Sequence, residues 1–259
     1  KRQVVARVAA EAWRIEDKFS RYLNGNVMHR INTANGQPVE VDEETAGLID
    51  FAATLFDISD GRFDITSGVL RGAWTFDGGD QIPRQEAIDT LMQRVGWQHA
   101  TWQQSRLTLL PGMEIDLGGI GKEYAVDRCV GLARDGSNIA VMVNFGGDLA
   151  VTGPPRQRKA WKIGIEGASP DAAERLVDLR QGALATSGDA RRYLVHDGIR
   201  YSHILDPTTG WPVPDAPASI TVAADTCTQA GMLSTLAMLH GKHAEAFLTE
   251  QGVLYWCRP

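Results

Sequence analysis

Hydrophobic positions at the start of the chain repeat at helical spacing. Val5, Val8, Ala9, Ala12, Ile15 and Phe19 form one stripe, which predicts an amphipathic helix from Val4 to Phe19, ending near Ser20. A second helix is predicted between Asp42 and Asp57, where Leu48, Ile49, Ala52 and Leu55 share a face behind an acidic first turn that suits the positive end of the helix dipole. The glycine of Asp60-Gly61 then breaks it. Gln85 to Val95, Glu123 to Leu132 and Cys227 to Leu239 complete the predicted helices. Short β-branched runs bounded by Gly, Pro or Asp predict strands at Arg106 to Leu110, Ala140 to Asn144, Trp161 to Ile165, Arg200 to Ile204 and Ser219 to Ala223, with a terminal segment near Val253-Leu254-Tyr255. Helices and strands mix without regular alternation, and no repeat or low-complexity linker interrupts them. An α+β fold is expected, as one compact domain over residues 1–259, with Gly153 to Lys159 an exposed loop.

Composition narrows the function classes. With 43% hydrophobic and 22% charged residues over 259 positions the chain can bury a large core. A net charge of -6 and the lack of any Lys/Arg run argue against nucleic acid as a partner. No stretch approaches the roughly 18 apolar residues of a membrane-spanning helix. Because the chain opens on Lys1 rather than Met, an upstream segment is expected, and membrane attachment would come only through an anchor removed with it. Cys129, Cys227 and Cys257 lack metal-ligand spacing and are odd in number, so core thiols are expected.

Candidate chemistry gathers in four places. Asp116-Leu117-Gly118-Gly119-Ile120-Gly121-Lys122-Glu123 reads as a strand end, a glycine turn and a helix start; free N–H groups at such a start favour an anion, and Lys122 adds a charge. The spacing is neither a Walker loop nor a dinucleotide fingerprint, and many such turns bind nothing. Asn144-Phe145-Gly146-Gly147-Asp148 reads as a tight hairpin. Thr186-Ser187-Gly188 follows. In His203-Ile204-Leu205-Asp206-Pro207-Thr208-Thr209-Gly210, a turn by composition, the histidine could act as a base near neutral pH, although a lone histidine at a strand end is more often structural.

In this order, the four blocks resemble the signature of the ApbE family of FAD-binding proteins. Phe19-Ser20-Arg21-Tyr22 with Arg30-Ile31-Asn32, and Gly61-Arg62-Phe63-Asp64-Ile65-Thr66 with Trp74, are similar to it too, so the likeness runs from about Glu11 to Gly241. The resemblance implies a fold related to the T-fold and a transferase that moves FMN from FAD to a Ser/Thr hydroxyl of a target flavoprotein, releasing AMP, with Mg2+. It further implies that Gly118, Gly119 and Lys122 line the diphosphate and metal region. Thr186, Ser187, Gly188, His203, Ile204 and Asp206 would surround the flavin and reacting phosphate. The implied catalytic set is His203 as base, with Asp206 and Thr186, while Tyr22 and Thr66 are implied flavin contacts. Catalytic relatives act outside the cytoplasm, so a periplasmic location is expected.

One departure bears on the metal. The family carries an Asp four residues before a Thr on its last helix, and these hold the metal with a carbonyl of the first glycine loop. Here Thr235 and the Gly119 carbonyl remain, but Gly231 stands in the place of the Asp. Glu123 stands where the family has Gly, and Ser202 replaces a His. Either another carboxylate substitutes, with Asp225 and Asp189 as candidates, or activity is weakened. Two alternatives to transfer therefore stay open: an FAD-binding protein that does not transfer, and an FAD pyrophosphatase that uses water as the acceptor. An FAD-free scaffold remains only if the glycine turns are mere turns.

Overall fold

In the computed structural model, which describes residues 2–136, 138–166, 173–188 and 193–259, helices form where caps and apolar stripes place them. Helix Glu43–Ile58 shows the local logic. Asp42 accepts a hydrogen bond from the Thr45 N–H at 2.9 Å, Glu43 and Glu44 occupy the first turn, and Asp60 and Gly61, both at positive φ, end the run. Helices Arg2–Phe19, Gln85–Met92, Gly121–Gly136 and Cys227–Leu239 match the other predictions, with Gly121–Gly136 extending a turn beyond its predicted end. Short helices Val27–Asn32 and Ala244–Glu250 were not anticipated.

The chain divides into two compact units with no linker in the sequence to mark the change. The first comprises described residues within Lys1–Glu16, Ile120–Ala190 and Asp215–Pro259. Its centre is a five-stranded antiparallel sheet in the order Leu254–Arg258, Ser219–Ala224, Gly182–Gly188, Asp148–Val151, Met142–Phe145. Side chains alternate across it. Leu149, Val151 and Leu184 lie on one face and join Leu179, Trp161 and Ile163 of the hairpin Trp161–Glu166/Ala173–Leu179. The other face carries the small residues Ala150, Ala183 and Ala185, and helices Cys227–Leu239 and Gly121–Gly136 pack beside it. Buried Cys129 touches the Val8 carbonyl of the first helix. Cys227 is also buried and Cys257 partly so, and all three are free thiols, as expected.

The second unit comprises described residues within Asp17–Gly119 and Arg191–Pro214. A small antiparallel sheet pairs Val39–Glu40, Arg106–Thr108 and Thr101–Gln103 in that order. A hairpin joins Tyr193–His196 to Ile199–Ser202 through Asp197-Gly198, both at positive φ as a tight hairpin turn demands. Its core gathers Val69, Leu70, Trp74, Ile88, Val95 and Leu194, and the Trp74 indole N–H donates to the Gly210 carbonyl at 2.8 Å. At Gly210, with φ +73°, an added Cβ would lie 2.6 Å from Ile88 Cγ2, so the residue is held to glycine by both backbone and space.

Candidate functional site

In the first unit, helix Gly121–Gly136 begins directly after the first glycine block, and its first helical hydrogen bond runs from Tyr124 N–H to the Ile120 carbonyl at 3.0 Å. The N–H groups of its opening turn are thus outside the helical ladder; that of Glu123 turns to its own carboxylate, and the rest face where the helix dipole favours a capping group or an anion. The second glycine block is the tight hairpin predicted: Gly146 and Gly147 have φ of +65° and +107°, and the Gly147 N–H donates to the Asn144 side chain at 2.9 Å. That turn delivers Asp148, buried at the head of its strand. Asp148 Oδ2 pairs with Lys122 Nζ at 2.5 Å, and Oδ1 accepts from the Thr186 N–H at 2.9 Å. Burial pulls the Lys122 ammonium down, but the Asp148 charge and hydrogen bond outweigh it and hold Lys122 above its ordinary value.

The sequence placed Asp148 in the second block, at a hairpin turn, and gave it no role of its own. The signal available was its place: the first strand residue after a Gly-Gly turn, where a carboxylate can turn back toward a helix start. Asp127, one turn along the same helix, was likewise missed. Its carboxylate accepts from the N–H groups of Cys227 and Thr228 at 2.7 and 2.8 Å and from the Thr228 hydroxyl at 2.7 Å, so one helix caps the other.

The two departures from the family pattern meet. A Cβ built on Gly231 would lie 2.5 Å from Glu123 Cγ, 3.0 Å from Cδ and 3.1 Å from Oε1, so the Glu123 side chain fills the space a residue at 231 would need. Glu123 is 6% exposed, and its Oε2 has no hydrogen-bond partner. Burial, and then the neighbouring Asp148 charge, push its carboxyl up to about 8. Of the substitutes raised earlier, Asp225 is exposed ahead of the N-cap Thr226, and Asp189 lies outside the described residues.

Thr186 and Ser187, predicted as neighbours in one site, point to opposite faces of the sheet. The Thr186 hydroxyl shares a hydrogen bond with Thr221 at 2.8 Å. The Ser187 hydroxyl faces the last helix, 2.8 Å from Ser234 Oγ and 3.1 Å from Thr235 Oγ1, while Ser234 also donates to the Gly231 carbonyl at 3.0 Å. Thr235 therefore sits one turn beyond Gly231 in a small hydroxyl cluster. Gly188 is fixed by space, since a Cβ there would come within 2.6 Å of the Ala218 carbonyl oxygen. Among the described residues no group of three or more His, Cys, Asp or Glu converges on a metal position. The oxygens this unit gathers near position 231 are the hydroxyls of Ser187, Ser234 and Thr235 and the carboxyl of Glu123.

The second unit holds the remaining predicted residues. His203 follows strand Ile199–Ser202, half-buried, its ring edge-on to Phe76 with centroids 6.3 Å apart. Phe76 stacks on Trp74, which meets Trp211 edge-on at 5.2 Å. The Ile204 N–H donates to the Ser202 hydroxyl at 3.1 Å. Asp206 organises its turn: Oδ1 accepts from the N–H and hydroxyl of Thr208 at 2.8 and 2.6 Å, and its carbonyl accepts from the Gly210 N–H at 2.8 Å. Thr66 is fully buried, donating to Asp64 at 2.7 Å and accepting from the Gly96 N–H at 2.7 Å, so its hydroxyl is committed to this unit's frame. Tyr22 is 77% exposed, and Arg21 lies over its ring and pairs with Asp116 at 2.5 Å. Asp116 also accepts from the Gly118 N–H at 3.0 Å, and Gly119 is packed against Phe63.

The family model described as "ApbE family" matches residues 2–255. The FAD:protein FMN transferase of Vibrio cholerae serotype O1 is 31% identical over 235 residues, covering 88% of this chain and 70% of that protein. The Escherichia coli K12 protein of the same name is 31% identical over 234 residues, covering 86% and 67%. The crystal structure of the ApbE protein from Thermotoga maritima superposes with a TM-score of 0.88 at 34% identity, covering 99% of this chain and 86% of that one. The Pseudomonas stutzeri flavinyl transferase ApbE in its apo form gives 0.86 at 28% identity, covering 98% and 82%.

Proposed function

Since the chain belongs to the ApbE family, we propose that it is an FAD:protein FMN transferase acting on a Ser/Thr hydroxyl of a target flavoprotein. The observation that carries this is the match to proteins of that name at 31% identity over 88% of the chain, in a fold that keeps the glycine turn, the helix start and Lys122.

The acceptor oxygen attacks the phosphorus on the riboflavin side of the diphosphate, and the bond to the adenylate oxygen breaks. The hydroxyl proton goes to a base, and AMP leaves with the bonding pair. Little covalent work falls to the protein, which must hold the diphosphate and balance charge. The first turn of helix Gly121–Gly136 presents backbone N–H groups to a phosphate, and Lys122, held charged by Asp148, adds the point charge. A bound Mg2+ would neutralise charge developing on the phosphoryl oxygens; the Thr235 hydroxyl is the ligand this unit offers it beside any carboxylate. His203 is the proposed base. Asp206 positions it indirectly by holding the turn three residues later. A periplasmic location is part of the proposal on family likeness alone.

The test is incubation with FAD and Mg2+, with and without an acceptor domain, following AMP and protein-bound FMN by mass spectrometry. Covalent FMN on the acceptor is expected, and H203A should lower its rate by roughly 100-fold or more while FAD still binds. A second reading, FAD held without transfer, is favoured by the missing side chain at Gly231; intact FAD after long incubation would select it.

A further inference from the structure

We infer that Glu123, reaching from the first turn of helix Gly121–Gly136 onto the bare backbone of Gly231, supplies the carboxylate ligand for a divalent cation that position 231 cannot provide. The inference deepens the transferase reading and rests on it for what the cation would do.

Three observations converge. First, the space is exclusive: a Cβ at 231 would stand 2.5 Å from Glu123 Cγ, so the chain can hold a side chain at 123 or at 231 but not both as placed. Gly231 is mid-helix and has no positive φ, so its backbone does not need glycine; the Glu123 side chain does. Secondly, the carboxylate is unfinished. Glu123 is 6% exposed and its carboxyl meets its own N–H and the Asp148 carboxylate, yet Oε2 has no hydrogen-bond partner, although buried polar atoms are nearly always bonded. The nearby cation, Lys122, is paired with Asp148. A buried acceptor with an open lone pair can take a cation once the carboxyl gives up its proton. Thirdly, the carboxylate lies on the right helix face. Residues 231 and 235 are one turn apart and share a face, the face where Glu123 Oε1 would lie 3.1 Å from a Cβ at 231, and Thr235 with Ser187 and Ser234 supplies neutral oxygens there. One carboxylate, hydroxyl oxygens and retained waters suit Mg2+ or Mn2+.

The proposed ligand thus comes from the other helix and reaches the space above position 231. Glu is the length this requires, because the side chain must cross between the helices to reach position 231.

The test titrates Mn2+ into the full chain, with and without FAD, and reads free Mn2+ by electron paramagnetic resonance. Wild type, E123Q and the transposed double variant E123G/G231D are compared. Glutamine keeps the shape of Glu123 but is a poor ligand, so E123Q should bind Mn2+ at least about tenfold more weakly. E123G/G231D should return to within about threefold of wild type, since it moves the carboxylate back across the same gap, and thermal unfolding of each variant establishes that it is folded. Equal Mn2+ affinity in wild type and E123Q, or no Mn2+ binding by wild type under either condition, would overturn the inference. No transfer reaction is involved, so the two readings fail separately. Normal Mn2+ behaviour without FMN transfer removes the transferase and leaves Glu123 as ligand, whereas transfer that proceeds unchanged in E123Q with unchanged Mn2+ affinity does the reverse.

Discussion

Asp64 in the second unit and Glu123 in the first are carboxylates with the same exposure, 6%, and opposite surroundings. Asp64 is saturated: Oδ1 accepts from the N–H and hydroxyl of Thr66, both at 2.7 Å, and Oδ2 accepts from the Trp97 N–H at 2.9 Å. Burial raises its proton affinity, and these bonds work against that rise. Glu123 has burial and a second carboxylate working together, with one oxygen unpartnered. Equal burial therefore says little about the role of a buried charge; hydrogen-bond completion does. The saturated group belongs to the framework, whereas the incomplete one keeps an oxygen with no hydrogen-bond partner.

Three changes would break or sharpen the contrast. The largest effect is expected from D64A, which strands two backbone N–H groups and a hydroxyl. At about 1–3 kcal/mol for each unsatisfied buried group, a loss of about 3 kcal/mol or more follows, roughly 6–12 °C in unfolding midpoint by calorimetry. A loss below 1 kcal/mol would mean the knot is not structural.

Next comes G231A, whose sign depends on its partner. In wild type, overpacking against Glu123 should outweigh the gain of about 1 kcal/mol from replacing a mid-helix glycine, giving a net loss of about 1–2 kcal/mol. In an E123G background the space is open, and the same change should stabilise by up to about 1 kcal/mol. Identical effects in both backgrounds, by urea unfolding, would deny that the two positions share one space.

The smallest effect is a slope. With EDTA present, Glu123 has a folded pKa near 8 against an unfolded value in the ordinary carboxyl range, so the folded state holds the extra proton. Its contribution is fully present below about pH 4.5 and is lost as pH rises through 8. E123Q should remove that loss, matching wild type near pH 5 and exceeding it at pH 8. Parallel curves for the two proteins would contradict it.

Much of this was legible in the residues. Asp42 with Glu43 and Glu44, and Asp60-Gly61, wrote the ends of one helix locally. Gly146-Gly147 wrote a hairpin, and the four ordered blocks carried the family. What escaped was set at a distance. Strand Gly182–Gly188 has few β-branched residues, because Ala183 and Ala185 lie on the helix-covered face and small side chains are wanted there. The helix Ala244–Glu250 has no side-chain cap, and Val27–Asn32 has only six residues, too few to show a period. The opposite facing of Thr186 and Ser187 follows from strand alternation once the strand is known. Above all, Gly231 reads alone as a deletion and Glu123 alone as a neutral change; only the fold makes them one event.

The shared space at 123 and 231 also constrains the order of inheritance. In a chain with Asp at 231 and Gly at 123, gaining the Glu first would set two side chains against one space, and one of them would have to turn away. Losing the Asp first passes through a chain with glycine at both, folded but without a carboxylate there. The geometry that fits the present pair together thus makes the order with both side chains the costlier one, and the order through two glycines would be kept where the interval without the charge could be tolerated.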